Sequence, residues 1–177
     1  MPITDKPQRF VITGTSGTGK TSLIEELKIA GFVCFEEPGR KVLTSGSDAA
    51  KTEPEPFIEE MLIQSLKDFE KAQDKQIAFY DRGLPDIVAY AHRFNVTPDQ
   101  CQQAAETHLY ESMVFVTPPW EEIFVNDEVR RATFKEYLQF HESILKIYFG
   151  LGYSVRVLPK SAIHERVEFI KTAISIA

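Results

Sequence analysis

Gly14-Thr15-Ser16-Gly17-Thr18-Gly19-Lys20-Thr21 constrains this chain more than any other segment. It follows Phe10-Val11-Ile12, a short β-rich run, and precedes a stretch in which Leu23, Ile24 and Leu27 fall on one helical face. The glycines let the backbone wrap tightly, so that successive N–H groups point inward at anionic oxygens. A helix opened by such a loop has first-turn N–H groups without internal partners and a partially positive end. Strand, Gly-x-x-x-x-Gly-Lys-Thr, then helix therefore reads as a cradle for the phosphates of a nucleoside triphosphate. Its expected contacts are Gly14, Thr15, Ser16, Gly17, Thr18, Gly19, Lys20, Thr21 and Ser22. The Lys20 ammonium would lie between the β- and γ-phosphates. The Thr21 hydroxyl would face magnesium, which prefers hard oxygen ligands. The loop by itself does not choose between hydrolysis, phosphoryl transfer and switching.

The rest of the chain alternates in the same way. Gly31 stops the first helix, and Phe32 to Phe35 reads as a second strand, completing a βαβ unit. Glu37 to Pro56 is rich in Gly, Ser, Pro and charge, and is expected to have an ordered start near Arg40 to Leu43 and then a mobile loop. Ile58, Met61, Leu62, Leu66 and Phe69 repeat at helical spacing. Ile77 to Tyr80 is a third strand, and Pro85-Asp86 opens a helix running to about Phe94. Thr97-Pro98-Asp99-Gln100 has the pattern of a capping box with proline at the first helical position. Met113 to Val116 and Tyr153 to Leu158 are the fourth and fifth strands. A long helix carrying Phe134, Tyr137, Leu138, Leu145 and Tyr148 separates them, and a last one carries Ile163, Val167, Ile170 and Ile174. Five strands alternating with helices predict a mostly parallel α/β sheet in a single domain over residues 1–177.

In such a sheet, sites form at the carboxyl ends of the strands, and three charged clusters fall there. After the second strand, Glu36-Glu37-Pro38-Gly39-Arg40 offers a carboxylate, best placed at Glu37, to accept a proton from a substrate hydroxyl. A solvated acidic turn is the alternative there. After the third strand, Asp81-Arg82-Gly83 offers an acid for magnesium and an arginine for phosphate or substrate; a helix-capping Asp is the alternative. Asp127 to Arg131 ends in Arg130-Arg131, whose charges oppose the dipole of the helix they enter and suit anions instead. His92, His108, His141 and His164 show no metal-ligand spacing, and surface or helix-face roles are expected of them. Trp120 fits packing better than stacking on a base, and Lys160 lies just beyond the fifth strand.

The net charge of −6 argues against a general binder of nucleic acid or anionic membrane. Cys34 and Cys101 lack metal spacing and read as free thiols in a reducing compartment. No stretch approaches the length of a membrane span and the first residues are polar, so a cytoplasmic protein is expected.

Thr13 to Thr21, Glu37 to Arg40 with Val42-Leu43, Tyr80 to Asp86, and Asp127 to Arg131 together resemble the P-loop nucleoside and nucleotide kinases. More closely, the chain resembles the kinase-like predicted ATPases that include the nicotinamide riboside kinase domain of bacterial NAD regulators. The resemblance implies a P-loop NTPase three-layer α/β/α sandwich, with a five-stranded parallel sheet in the order 2-3-1-4-5 and a helical lid at approximately 119–133. It implies binding of ATP or GTP at Gly14 to Thr21, an acid at Glu37, an Asp81-Arg82 pair after the third strand, and lid arginines at Arg130 and Arg131. Thr21 and Asp81 would hold the metal, and the partner would be a small-molecule acceptor. The resemblance leaves three readings open: a small-molecule kinase, a nucleotide-dependent switch prompted by the loop Thr44 to Pro56, and a plain NTPase. No Asn/Thr-Lys-x-Asp base reader occurs after a strand, which favours ATP over GTP.

Overall fold

A computed structural model describes residues 6–46, 48–123 and 133–176. In chain order the elements are β1 (Gln8–Thr13), α1 (Lys20–Ile29), β2 (Val33–Phe35), α2 (Pro38–Ser45), α3 (Asp48–Thr52), α4 (Pro54–Lys71) and β3 (Ile77–Asp81). They continue with α5 (Leu84–Arg93), α6 (Asp99–Thr107), β4 (Met113–Val116), α7 (Phe134–Gly150), β5 (Ser154–Val157) and α8 (Ile163–Ile176). The strands form one five-stranded sheet in the order β2-β3-β1-β4-β5, and every pairing is parallel.

Helices cover both faces, which is why the strands read as continuous apolar runs. Side chains alternate across β1: Phe10 and Ile12 meet Leu23, Leu27, Ile170 and Ile174 from α1 and α8. Val11 faces the other way, into a core with Tyr80, Ile87, Val114 and Ile144. On the first face Phe10 stacks on Phe79 with ring centroids 5.7 Å apart, and Phe32 meets Phe79 edge-on at 5.2 Å.

The register brings the functional ends level. Ile12 pairs with Asp81, Thr13 with Val116, and Phe35 with Tyr80. The phosphate loop, the Asp81-Arg82 turn, the segment after β2 and the residue after β4 therefore emerge along one edge of the sheet.

Two local expectations are corrected. The stretch expected as a mobile loop is largely helical, with α2 reaching Ser45, α3 spanning Asp48–Thr52 and α4 starting at Pro54. Its prolines sit in the first turn of α4, where a missing N–H breaks no helical bond. Val42, Ala50 and Ile58 anchor the three helices in the core. The capping box expected at Thr97 does not form. Pro98 itself is the cap of α6, and its carbonyl accepts from the Gln102 N–H at 2.8 Å without a side-chain cap. A box does form at α7, where Thr133 Oγ1 accepts from the Glu136 N–H and Glu136 accepts from the Thr133 N–H. Of the expected lid, Glu121–Ile123 is a short 3₁₀ turn, and residues 124–132 lie outside the described ones.

Phe79 is 0% exposed and central to the α1/α8 face. Phe79→Ala should cost ~3–5 kcal/mol, seen as a lower urea midpoint with an unchanged slope. A loss below ~1 kcal/mol would mean that this face can collapse around the void.

Candidate active site

The glycines of the loop carry its shape. Gly14, Gly17 and Gly19 stand at φ of 131°, 78° and 83°, a region that side chains avoid. Gly14 also passes so close to Thr117 that a Cβ would run into its hydroxyl and carbonyl oxygens. Gly19 caps α1 with no side-chain acceptor, which leaves the first-turn N–H groups available to an anion.

Two distant elements brace the loop. Thr117, just past β4, donates its N–H and its hydroxyl to the Thr13 carbonyl at 2.9 and 3.0 Å, and its hydroxyl pairs with that of Thr18 at 2.7 Å. From α8, the buried Arg166 donates Nη1 to the Thr18 carbonyl at 3.0 Å and Nε to the Ser161 carbonyl at 3.1 Å. Its guanidinium lies 5.0 Å over the Trp120 ring, so Trp120 packs against Arg166, while Lys160 is exposed.

Lys20 is buried and donates Nζ to the Thr15 carbonyl at 2.6 Å. Burial, aided by the positive charge of Arg82, lowers its pKa to about 8 despite the carboxylates of Asp81, Glu37 and Asp86. Asp81 is buried at the end of β3, and its Oδ1 has no hydrogen-bond partner among the described residues. Burial raises its pKa to about 6 against the pull of Lys20. A cavity of about 220 Å³ opens here, lined among others by Thr21, Glu37, Arg40 and Asp81. The Thr21 hydroxyl and the Asp81 carboxylate are hard oxygen donors on one cavity, and the unpartnered Oδ1 gives them capacity to spare. This donor set fits magnesium. Ser22 is exposed on α1. A larger cavity of about 680 Å³, between Arg156 and Phe169 along β5 and α8, includes no residue of the phosphate loop.

Arg82 lies across the site with its side chain 0% exposed. Nε donates to Glu37 Oε1 at 2.9 Å, Nη1 to Asp86 Oδ1 at 3.3 Å, and Nη2 has no partner among the described residues. Its backbone is left-handed, at φ 74°, and its N–H extends the β3 pairing to the Ile12 carbonyl at 3.0 Å. Glu37 caps α2; burial alone would raise its pKa, but Arg82 and Lys20 outweigh burial and hold it below the usual carboxylate range. Glu36 lines the same cavity but is engaged in an exposed ion pair with Lys28 at 2.8 Å.

The structure thus gathers Lys20, Thr21, Glu37, Asp81 and Arg82 at one edge; Arg130 and Arg131 lie outside the described residues. Four participants escaped the sequence reading. Asp86 looks like an ordinary acid in a first helical turn, where the dipole favours one. Tyr148 belongs to an apolar stripe, and only its hydroxyl, which a buried tyrosine must satisfy, hints at more. Thr117 and Arg166 reach the loop from about 100 and 150 residues away along the chain. His141, expected on a helix face, has a buried Nδ1 without a partner and lies within electrostatic reach of Lys20.

Sheet order and glycine loop together define a P-loop fold of the kinase type. The chain belongs to the AAA domain family, whose model matches residues 9–166. No curated protein sequence matches it. Among solved structures it is similar to deoxyadenosine kinase from M. mycoides with dCMP and dCDP bound, at 15% identity and TM-score 0.68 over 96% of this chain and 100% of that one. It is similar to thymidylate kinase from Ehrlichia chaffeensis at 19% identity and TM-score 0.59, over 95% of this chain and 99% of that one. It is also similar to the NadR protein in complex with NAD and AMP-PNP, at 18% identity and TM-score 0.66, over 94% of this chain and 49% of that one. At such identities the likeness is one of fold.

Because the folded pKa of Asp81 stands above its unfolded value, the native state holds the proton more tightly. The cost of burying the charge is felt once pH rises through that window. Asp81→Asn should therefore be more stable than the parent by ~1–3 kcal/mol at about pH 7.5, with the gain gone near pH 4. Urea unfolding at both pH values checks this, and a difference independent of pH would reject the burial cost.

Proposed function

We propose that this protein is a phosphotransferase, a nucleoside-type small-molecule kinase that uses Mg-ATP. The observation that carries the proposal is a pair of buried, unpartnered polar atoms of opposite character, Asp81 Oδ1 and Arg82 Nη2, in electrostatic reach of Lys20. A buried donor and a buried acceptor left open together suit a ligand that combines a metal cation with anionic oxygens.

In this reading the first-turn amides of α1 and the Lys20 ammonium bind the polyphosphate, and Thr21 and Asp81 hold the metal. Bound magnesium would supply positive charge against the phosphates. Arg82 meets charge on the transferring phosphoryl group through Nη2. Glu37 accepts the acceptor's hydroxyl proton; its depressed pKa suits orientation of that hydroxyl, since a loose phosphoryl-transfer transition state asks little of a base. Arg40, exposed on the rim of the same cavity, is available to an anionic part of the acceptor. Arg130 and Arg131 complete the set as lid arginines. The kinase neighbours support this chemistry as a class. The switch reading loses its motive, because the Thr44 to Pro56 stretch is built into helices.

A panel of nucleosides and small hydroxyl metabolites, incubated with Mg-ATP and read by mass spectrometry, should yield a phosphorylated product. Tight ATP binding with no product from any acceptor would remove the kinase reading and favour a plain NTPase. Lys20→Ala should abolish turnover, and Glu37→Gln should lower kcat about 10²-fold with little change in KM for ATP. Lys20 is half charged at about pH 8. Triphosphate binding at about pH 8.5 should thus take up roughly three quarters of a proton, read by calorimetry in two buffers. Lys20→Ala should lose that uptake, and its persistence in the variant would assign the proton elsewhere.

A further inference from the structure

Asp86 is 0% exposed, and its carboxylate is saturated by donors from separate parts of the fold. Oδ1 accepts from the Thr13 hydroxyl at the end of β1 and from Arg82 Nη1. Oδ2 accepts from the Tyr148 hydroxyl on α7 at 2.6 Å and from the Gly83 N–H at 2.9 Å. A carboxylate offers about four acceptor sites, so none remains for a substrate or a metal. Asp86 therefore acts through its neighbours or not at all.

Its neighbours are the moving parts of the proposed reaction. Thr13 leads directly into the phosphate loop, and Arg82 is the buried arginine of the site. Arg82 is confined on every side but one: Glu37 holds Nε, Asp86 holds Nη1, and the Tyr90 ring lies 5.2 Å from Cζ. Only Nη2 is open. Tyr148 stands near the carboxyl end of α7, the helix whose first residue, Phe134, follows the expected lid.

We propose that Asp86 is a positioning residue that aims the free Nη2 of Arg82 at the transferring phosphoryl group, and that Tyr148 ties that aim to the seating of α7. The proposal rests on the phosphotransferase reading, and it adds a mechanical link: α7 and the arginine at the reaction centre share one carboxylate. The seating of α7 would then set the arginine, with no contact between Tyr148 and substrate. Displacing such a group by an ångström is costly to turnover and nearly silent in ground-state binding.

Tyr148→Phe tests this by removing one oxygen while keeping the ring. Acceptor-dependent kcat should fall about tenfold, with KM for ATP changed less than about twofold. In an Arg82→Lys background the same substitution should change kcat less than about twofold, because its route to the reaction is gone. A merely structural Tyr148 would lose equally in both backgrounds, and that result overturns the proposal. A second measurement needs no turnover. The Arg82 Nε–H resonance in ¹⁵N NMR, assigned by its loss in Arg82→Lys, should be slowly exchanging in the parent and should shift with Mg-AMP-PNP. In Tyr148→Phe it should move and exchange faster, and an unchanged resonance overturns the proposal. If the parent phosphorylates no acceptor, the kinase reading fails and the resonance alone decides whether Tyr148 and Asp86 set the arginine. The resonance in Tyr148→Phe also decides the case if Arg82→Lys does not fold.

Discussion

The Arg82 guanidinium, withdrawn from solvent between Glu37 and Asp86, is the interaction around which the carboxyl edge of the sheet is organised. An ion this deep is tolerable only when its partners are fixed, and breaking one side of such a pair typically costs ~3–5 kcal/mol. The partners come from three places: the cap of α2, the first turn of α5 and, through Tyr148, the far end of α7. Satisfying one cation thus binds together segments that the sheet register alone would leave as neighbouring loops. The strained left-handed backbone at Arg82 is part of the same arrangement, since a non-glycine residue stays there only when its surroundings hold it.

Lys20 shows the complementary strategy. Its ammonium is held by the loop's own Thr15 carbonyl, which ties the lysine to the cradle it serves. Burial lowers its affinity for a proton, so an incoming anion would restore and fix the charge. Asp81 is the mirror case, an acid made reluctant to ionise by burial and left with an open oxygen. The two groups are poised in opposite directions, as expected where ligand binding must supply the missing charge.

Much of this was legible in the sequence, for physical reasons. The glycine loop announces itself because its backbone admits few other residues, and the five strands do because burial on both faces makes them apolar runs. Their spatial order was different. Periodicity shows that β1 and β2 are strands but not that β3 lies between them; that came from the resemblance to kinases, and the pairing of Ile12 with Asp81 bears it out. Composition points the wrong way at Thr44 to Pro56, where Gly, Ser, Pro and charge suggest a loop although Pro54 begins a helix. Asp86, Tyr148, Thr117 and Arg166 were hidden because each gains its meaning from a partner far along the chain, such as Tyr148 with Asp86, 62 residues apart. Local pattern carries no record of such meetings.

The stacking of Arg166 on Trp120 has a practical side. The chain contains one tryptophan. That indole lies against the guanidinium whose Nη1 donates to the Thr18 carbonyl, so its emission is wired to the phosphate loop by two contacts. The protein carries a built-in fluorophore at its binding edge, and the state of the cradle can be followed optically in the unlabelled, unmodified chain.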